Sequence, residues 1–341
     1  RQVHHSLQDL SIFANHHSVF PMKLKHLLPL LTILTLQFSF AQTPQKVVVA
    51  TEDPYNLYNF EPTDTTSLFY LKLVPKTKPN ACLVILPSSG ELVESVMAQI
   101  TLHKLALKKG MLVVFPSINW GTNKFDEEHK LLDVIFKQVA EQYSIPKDRF
   151  VIGGFSGGAM ISLSYAEKAH REPGATYITP KAVFALDPPV DYAHLYHHAK
   201  RDVERNFSEP AVNEGHWIMD SYKEDFGGSP EEVPAQYVKY SIYSHNEPDG
   251  GNAKFLLTTP LRIYTEPDIE WQLTNRHRDA YDMNSTDISA MVNLLQTKGN
   301  DKVSLIVTHN KGYRPNGMRH PHSWSIMDSK TCLDWILQQL K

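Results

Sequence analysis

The sequence has little of several features that define large classes of protein. Only two of its 341 residues are cysteines, so no disulfide framework is expected. The formal net charge is −3, which gives no electrostatic basis for binding nucleic acid or an anionic membrane. We find no internal repeat, no Gly-rich phosphate loop and no dinucleotide fingerprint. The remaining composition, 42% hydrophobic and 21% charged residues, is that of an ordinary globular protein.

Long apolar runs are also scarce, and the one near the N-terminus has the pattern of a secretory leader. From Met22 it carries two lysines, then about 14 mostly apolar residues, and it reaches small residues at Ala41. We therefore predict a signal peptide over 22–41, with residues 1–21 upstream of the true start. The mature chain would begin at Gln42 and be secreted or periplasmic, without a membrane span.

The rest of the chain alternates short apolar segments with amphipathic ones. Short buried strands separated by helices are typical of an α/β fold with a mostly parallel central sheet and helices on both faces. Strands are predicted at 67–75, 81–87, 111–117, 149–155, 181–187, 260–266 and 302–308, and helices at 91–110, 124–143, 159–171 and 328–340.

One segment, 205–258, interrupts this alternation because it has no convincing strand and many aromatic residues. A stretch of this length between two core strands is usually a functional insertion, and we refer to this predicted insertion as the cap. The alternative is an excursion with a small core of its own. As substrate-binding residues of the cap we predict Trp217 and Tyr222, joined by Trp120 from a loop after a core strand.

The most specific motif is "FVIGGFSGGAM" at 150–160. Gly154, Ser156 and Gly158 form a G-x-S-x-G pattern between a predicted strand and a predicted helix. Small residues two positions before and after the serine permit a sharp turn that exposes its hydroxyl above the sheet. This context favours Ser156 as a nucleophile over an ordinary Gly-rich turn.

The order of strand, G-x-S-x-G, helix, later strand with acids and late histidine resembles the α/β-hydrolase superfamily from about residue 67 to 341. Within it, "IPKDRFVIGGFSGGAM" is similar to the nucleophile region of feruloyl esterases and polyhydroxyalkanoate depolymerases. The resemblance implies a single domain at 42–341 that acts as a serine hydrolase without a cofactor. Many members have His-Gly in the oxyanion loop, where this chain has "LPSSGE" instead.

A serine hydroxyl needs an imidazole to take its proton and a carboxylate to orient that imidazole. The superfamily places the acid after a late strand, which suggests Asp268 as the acid. Three other carboxylates remain alternatives, namely Glu266, Asp187 and Asp191. For the base we predict His322, because Trp324 follows two positions later as in the family pattern. His320 remains the alternative, and otherwise it would be a pocket wall or a backbone-bonding neighbour.

The oxyanion hole needs two backbone N–H groups. Gly157 would supply one at the start of a helix, and Ser89 the other, since Pro87 has no N–H. Ser88 is the alternative donor, and both serines could instead only cap the following helix.

Histidines at 194, 197 and 198 have helical spacing, but no carboxylate or cysteine pattern accompanies them, so a solvated helix face is expected rather than a metal site.

The predicted activity is a secreted carboxylic ester hydrolase acting on a small-molecule or glycan-linked ester. A serine peptidase is one alternative, which an acidic patch in the cap would favour (Glu214, Asp220, Glu224 and Asp225). A non-catalytic binding protein is the other.

Overall fold

The computed structural model describes residues 43–50, 57, 68–119 and 123–341, all within one compact unit, Gln42–Lys341. The predicted signal peptide at 22–41 and the segment 1–21 before it lie outside the described residues. Among the helices that are described, none combines the length and the apolar character needed to cross a membrane.

The unit is built on an eight-stranded sheet with the order β1-β2-β4-β3-β5-β6-β7-β8. Strands β3 to β8 run parallel, whereas β2 is antiparallel to β4 and β1 is antiparallel to β2. The strands are β1 (Gln45–Val48), β2 (Phe69–Leu73), β3 (Ala81–Leu86), β4 (Met111–Pro116), β5 (Phe150–Phe155), β6 (Ala182–Leu186), β7 (Leu261–Thr265) and β8 (Val303–Val307).

Helices cover both faces of this sheet, as the alternating pattern predicted. They are α1 (Val93–Gln99), α2 (Leu102–Lys108), α3 (Asp126–Tyr143), α4 (Gly157–Arg171), α5 (Tyr192–Arg205), α6 (Glu209–Phe226), α7 (Pro234–Tyr240), α8 (Ile269–Arg276), α9 (Asn284–Thr297) and α10 (Ser329–Gln339). Buried side chains of α1, α2 and α10 join one apolar cluster, and those of α3, α4, α5 and α9 join the other.

Strand β3 illustrates why the central strands are continuous apolar runs. Leu83 and Ile85 belong to the cluster on one face, while Val84 and Leu86 belong to the cluster on the other. Because successive side chains of a strand point to opposite faces, a strand covered on both sides needs an apolar residue at every position.

Three features differ from the sequence prediction. The helix predicted at 91–110 is two helices, because Ile100 has extended backbone (φ −126°, ψ 157°) between α1 and α2. Strand β1 was not predicted. The helical segment between β6 and β7 begins with α5 at Tyr192, before the predicted boundary at 205, and contains no strand.

Candidate active site

Ser156 lies at the turn from β5 into α4, at the carboxyl edge of the parallel strands. Its backbone has φ 53° and ψ −116°, a region that side chains with a Cβ rarely adopt. Its N–H donates to the carbonyl of Leu186 at 2.8 Å, which fixes the turn against β6. Strain of this kind persists where the surrounding structure enforces it, often at active sites.

The glycines beside Ser156 allow the turn to pack directly against the end of β3. A Cβ on Gly154 would lie 2.6 Å from the carbonyl oxygen of Leu86, and one on Gly158 would overlap with the carbonyl oxygen of Pro87. A Cβ on Gly157 would overlap with the Ser89 hydroxyl. The motif therefore brings α4 and the loop after β3 into contact, which only residues without a side chain permit.

The imidazole of His322 is paired with Asp187, the residue that follows β6. His322 Nδ1–H donates to Asp187 Oδ2 at 2.7 Å, and the Thr265 hydroxyl donates to Asp187 Oδ1 at 2.6 Å. The backbone of Asp187 is held as well, because its carbonyl accepts from the Asn284 amide at 2.9 Å. Since a carboxylate only accepts hydrogen bonds, Nδ1 carries a proton, and in a neutral imidazole the lone pair is then on Nε2.

The prediction that Asp268 orients His322 is wrong in this structure. Asp268 is the N-cap residue of α8. Its carboxylate accepts from the Trp271 N–H at 3.1 Å and pairs with Arg319. Asp268 therefore caps a helix instead of contacting His322, and aspartate is one of the residues preferred at N-cap positions.

The other two alternatives are also engaged elsewhere. Glu266 accepts from the Thr308 hydroxyl at 2.7 Å and from the Lys311 and Gly312 N–H groups, and it pairs with Arg319. Asp191 caps α5. The acid beside His322 therefore follows β6, one strand earlier than predicted.

His320 lies where a neighbour of the base was expected. Its Nδ1 hydrogen-bonds to the backbone carbonyl of His322 at 2.8 Å, and its ring packs against Trp271 with centroids 5.1 Å apart. Burial, with the nearby charge of His322 second, lowers the pKa of His320 to about 3. His320 is therefore neutral at ordinary pH and holds the loop that carries His322.

The loop after β3 is organised by Glu91, which the sequence did not single out. Glu91 Oε2 accepts from the Ser88 N–H at 3.0 Å and from the Trp324 indole N–H at 2.9 Å. The Gly90 N–H donates to the Asn119 carbonyl at 2.7 Å. Within the described part of the chain, the Ser89 N–H has no such acceptor, and Ser89 lies against Gly157. Ser89, not Ser88, is thus the residue whose N–H is open beside the nucleophile turn.

Ser156, Ser89 and His322 border one cavity of about 790 Å³. Trp217 of α6 also borders it and is 42% exposed. Tyr222 borders it too but is only 3% exposed, because its ring packs against Tyr192, Phe226 and Tyr237. Tyr222 is mainly a core residue of the helical segment, and the predicted Trp120 lies outside the described residues.

Ser156 Oγ makes no hydrogen bond within the described ranges, including to His322 Nε2. In unliganded active sites hydrogen bonds between a nucleophile and its base are often long and tighten only when substrate is bound. The structure thus places the paired imidazole and the half-buried serine at one cavity, without a hydrogen bond between Ser156 and His322.

Comparisons with known proteins were made by sequence and by structure. No protein-family model and no curated protein sequence matches the chain. Among solved structures, S-formylglutathione hydrolase from Agrobacterium tumefaciens superposes with a TM-score of 0.56 at 11% identity, covering 88% of this chain and 97% of that one. The chain has the α/β-hydrolase fold. The likeness is one of fold, since the sequence identity is very low.

Two further structures share this α/β-hydrolase fold. An esterase from Pyrobaculum calidifontis has a TM-score of 0.51 at 13% identity, covering 87% of this chain and 84% of that one. The acylaminoacyl peptidase of Pyrococcus horikoshii has a TM-score of 0.56 at 15% identity, covering 88% of this chain. The alignment spans only 42% of the peptidase.

Among the described residues, one group could hold a metal ion, and its members lie in three segments outside the Ser156 region. His194 Nδ1 and His245 Nε2 both hydrogen-bond to Asp287 Oδ1, and the three ligand atoms lie within 4.8 Å of one another. The expectation of a solvated helix face is wrong for His194 and His198, which are buried. It holds for His197, whose side chain is 37% exposed beside Glu231.

Proposed function

We propose that the protein is a secreted serine hydrolase that cleaves carboxylic esters through Ser156, His322 and Asp187. The observation that carries the proposal is the 2.7 Å hydrogen bond between His322 and Asp187 at the cavity that Ser156 borders. An imidazole with its Nδ1–H on a carboxylate offers Nε2 as the base that a serine nucleophile needs.

In the proposed reaction Ser156 Oγ attacks the ester carbonyl carbon while His322 Nε2 takes its proton. Asp187 stabilises the imidazolium that forms and keeps the ring oriented. The developing oxyanion accepts from the N–H groups of Gly157 and Ser89, and the N-terminus of α4 adds a favourable dipole. Collapse of the tetrahedral intermediate breaks the ester bond, and His322 returns the proton to the leaving alcohol.

The second half of the cycle removes the acyl group from Ser156. Water attacks the acyl carbon, its proton goes to His322 Nε2, and the bond between the acyl carbon and Ser156 Oγ breaks. His322 then protonates Ser156, and the carboxylic acid product leaves. No cofactor enters these steps, because every proton is moved by His322.

Peptidase activity is the rival, and three of the four acids that would favour it do not border the cavity. Among the four acids, only Glu214 borders the cavity, and it pairs with Arg278 at 3.2 Å. Asp225 accepts from the Asn123 N–H at 3.0 Å. The exposed Trp217 instead favours a substrate with an aryl or sugar face, whose apolar area it would cover.

An activity panel tests this proposal. Purified protein is assayed against p-nitrophenyl esters, feruloyl esters and aminoacyl p-nitroanilides, with Ser156→Ala as the control. We expect ester turnover that Ser156→Ala abolishes, and amide turnover at least a hundredfold slower. A protein that cleaves the anilides as fast as the esters is a peptidase, and a folded protein that cleaves neither is not a hydrolase of this kind.

A further inference from the structure

One wall of the cavity leads away from His322 through a row of neighbouring rings to a guanidinium group. The centroids of His322 and His320 are 6.5 Å apart, and the Trp271 ring follows at 5.1 Å from His320. The Arg276 guanidinium carbon lies 5.9 Å from the Trp271 centroid. Together with Arg314 these residues border the cavity, and we refer to Trp271, Arg276, Arg314 and His320 as the arginine wall.

Two arginines belong to this wall, and two others, Arg278 and Arg319, lie nearby and already have carboxylate partners. Arg278 pairs with Asp202 and Glu214, and Arg319 pairs with Glu266 and Asp268. Asp202, Glu214, Glu266 and Asp268 are therefore already paired.

Arg276 and Arg314 differ from these two. Arg276 donates to the Ser208 hydroxyl at 3.0 Å. Throughout the described ranges, neither Arg276 nor Arg314 has a carboxylate within salt-bridge distance. Both residues border the cavity.

The side chain of Arg276 is held by its neighbours, whereas Arg314 is exposed and only its backbone is held. Arg276 is half-buried at the end of α8, between Ser208 and the face of Trp271. Arg314 stands on a short hairpin whose ends, Tyr313 and Arg319, form an antiparallel bridge, and its N–H donates to the Met318 carbonyl at 2.9 Å. Burial, then the like charges of Arg278 and Arg314, lowers the pKa of Arg276 despite the opposing charge of Glu214.

A half-buried guanidinium that has like charges nearby and no carboxylate within salt-bridge distance is costly, and a bound oxyanion would relieve that cost. The planar fork of guanidinium donors matches a carboxylate in two-point fashion. We propose that Arg276 and Arg314 form a subsite for a carboxylate carried by the ester substrate. This inference rests on the proposed ester hydrolysis at Ser156, and it names the class of ester: one with a negative charge on its acyl or its alcohol side.

Matched pairs of esters test the subsite and locate the charge. On the alcohol side, 4-acetoxybenzoate is compared with 4-acetoxybenzamide. On the acyl side, the 4-nitrophenyl monoester of succinic acid is compared with its terminal amide. We expect the wild type to favour the anionic member of at least one pair by about tenfold or more in kcat/KM, since hydrogen bonds to charged groups are stronger than neutral ones. No preference in either pair would overturn the proposal.

Arginine variants then test whether the arginine wall causes the preference for anionic esters. Arg276→Gln and Arg314→Gln should each reduce the anion preference by about tenfold, mainly through KM, and Arg276→Lys should keep part of it. Arg171→Gln serves as the control, because Arg171 pairs with Glu172 at the end of α4, outside the cavity. Equal losses for the charged and the neutral ester in the Gln variants would mean a structural role and would contradict the subsite.

Calorimetry on Ser156→Ala separates this inference from the proposed function. Each ligand pair compares an anion with a neutral analogue. The pairs are 4-hydroxybenzoate with 4-hydroxybenzamide, and succinate with methyl succinamate. Anion-selective binding that Arg276→Gln removes would support the subsite even if no ester were hydrolysed. Ester turnover without anion preference, together with no selective binding, would leave the hydrolase standing and remove the subsite.

Discussion

The side chain of His322 is hydrogen-bonded to Asp187 across two loops that are 135 residues apart in the chain. Asp187 follows β6 with φ 45°, and its other carboxylate oxygen is occupied by Thr265 at the end of β7. The acid is thus fixed by the two neighbouring strands, while the histidine reaches it from the loop after β8.

This pairing predicts opposite outcomes for two aspartate variants. Asp187→Asn should lower kcat for ester hydrolysis by about 10⁴, because an amide favours the wrong imidazole tautomer. Asp268→Asn should retain activity within about tenfold and lose some stability, because it weakens a helix cap and the pair with Arg319. Steady-state kinetics with thermal melts measures both. Loss of turnover in Asp268→Asn with activity retained in Asp187→Asn would reverse the assignment.

Variants of the two late histidines, His320 and His322, should also differ strongly in kcat. His322→Gln removes the base and should cut kcat by several powers of ten, since triad members act as a unit. His320→Gln removes a hydrogen bond to the His322 carbonyl and packing against Trp271 but leaves the base in place, so a loss of about tenfold is expected. If the Gln variant at 320 is inactive and the one at 322 is nearly wild type, His320 is the base.

Glu91 should affect turnover although it does not touch the reacting atoms. Glu91→Gln weakens the acceptor for the Ser88 and Trp324 N–H groups, so the oxyanion loop and the histidine loop lose a shared anchor. We expect kcat to fall about tenfold with little change in KM, a fraction of what complete loss of one oxyanion donor costs. Glu94→Gln, at an exposed position of α1, is the control. An unchanged kcat in Glu91→Gln would show that the anchor is dispensable.

Buried His129 should make the protein less stable in acid. Its Nε2 is 2.9 Å from the Ser164 hydroxyl, and burial lowers its pKa to about 3. The unfolded chain takes up this proton near pH 6.5 while the folded one does not, so stability is full above pH 6.5 and falls toward about pH 3.

Between pH 6 and 4 the unfolded chain binds up to one proton more at His129 than the folded chain does. In His129→Gln, the slope of unfolding free energy against pH between 6 and 4 should be shallower by up to about 1.4 kcal/mol per pH unit. Urea unfolding at several pH values measures the slope, with the exposed His216→Gln as control. Equal slopes in wild type and His129→Gln would show that His129 titrates alike in both states.

The sheet and the nucleophile turn could be predicted because their signals are local. Strands covered on both faces are continuous apolar runs, and the turn at Ser156 requires its glycines. The acid could not be predicted in this way, because β6 and β7 are parallel neighbours and both end in acids at the same edge. Which acid meets His322 depends on the path of the loop after β8, which Glu266 fixes through Lys311 and Gly312.

Covalent labelling of Ser156 is the most direct test of the central claim. A fluorophosphonate reacts with a serine only when a base activates it. The purified protein should be labelled at Ser156, identified by peptide mass spectrometry, and Ser156→Ala should take no label. Labelling should slow by several powers of ten in His322→Gln and by less than about tenfold in Asp268→Asn. A folded wild-type protein that takes no label at Ser156, or that is labelled equally fast in His322→Gln, would contradict the account.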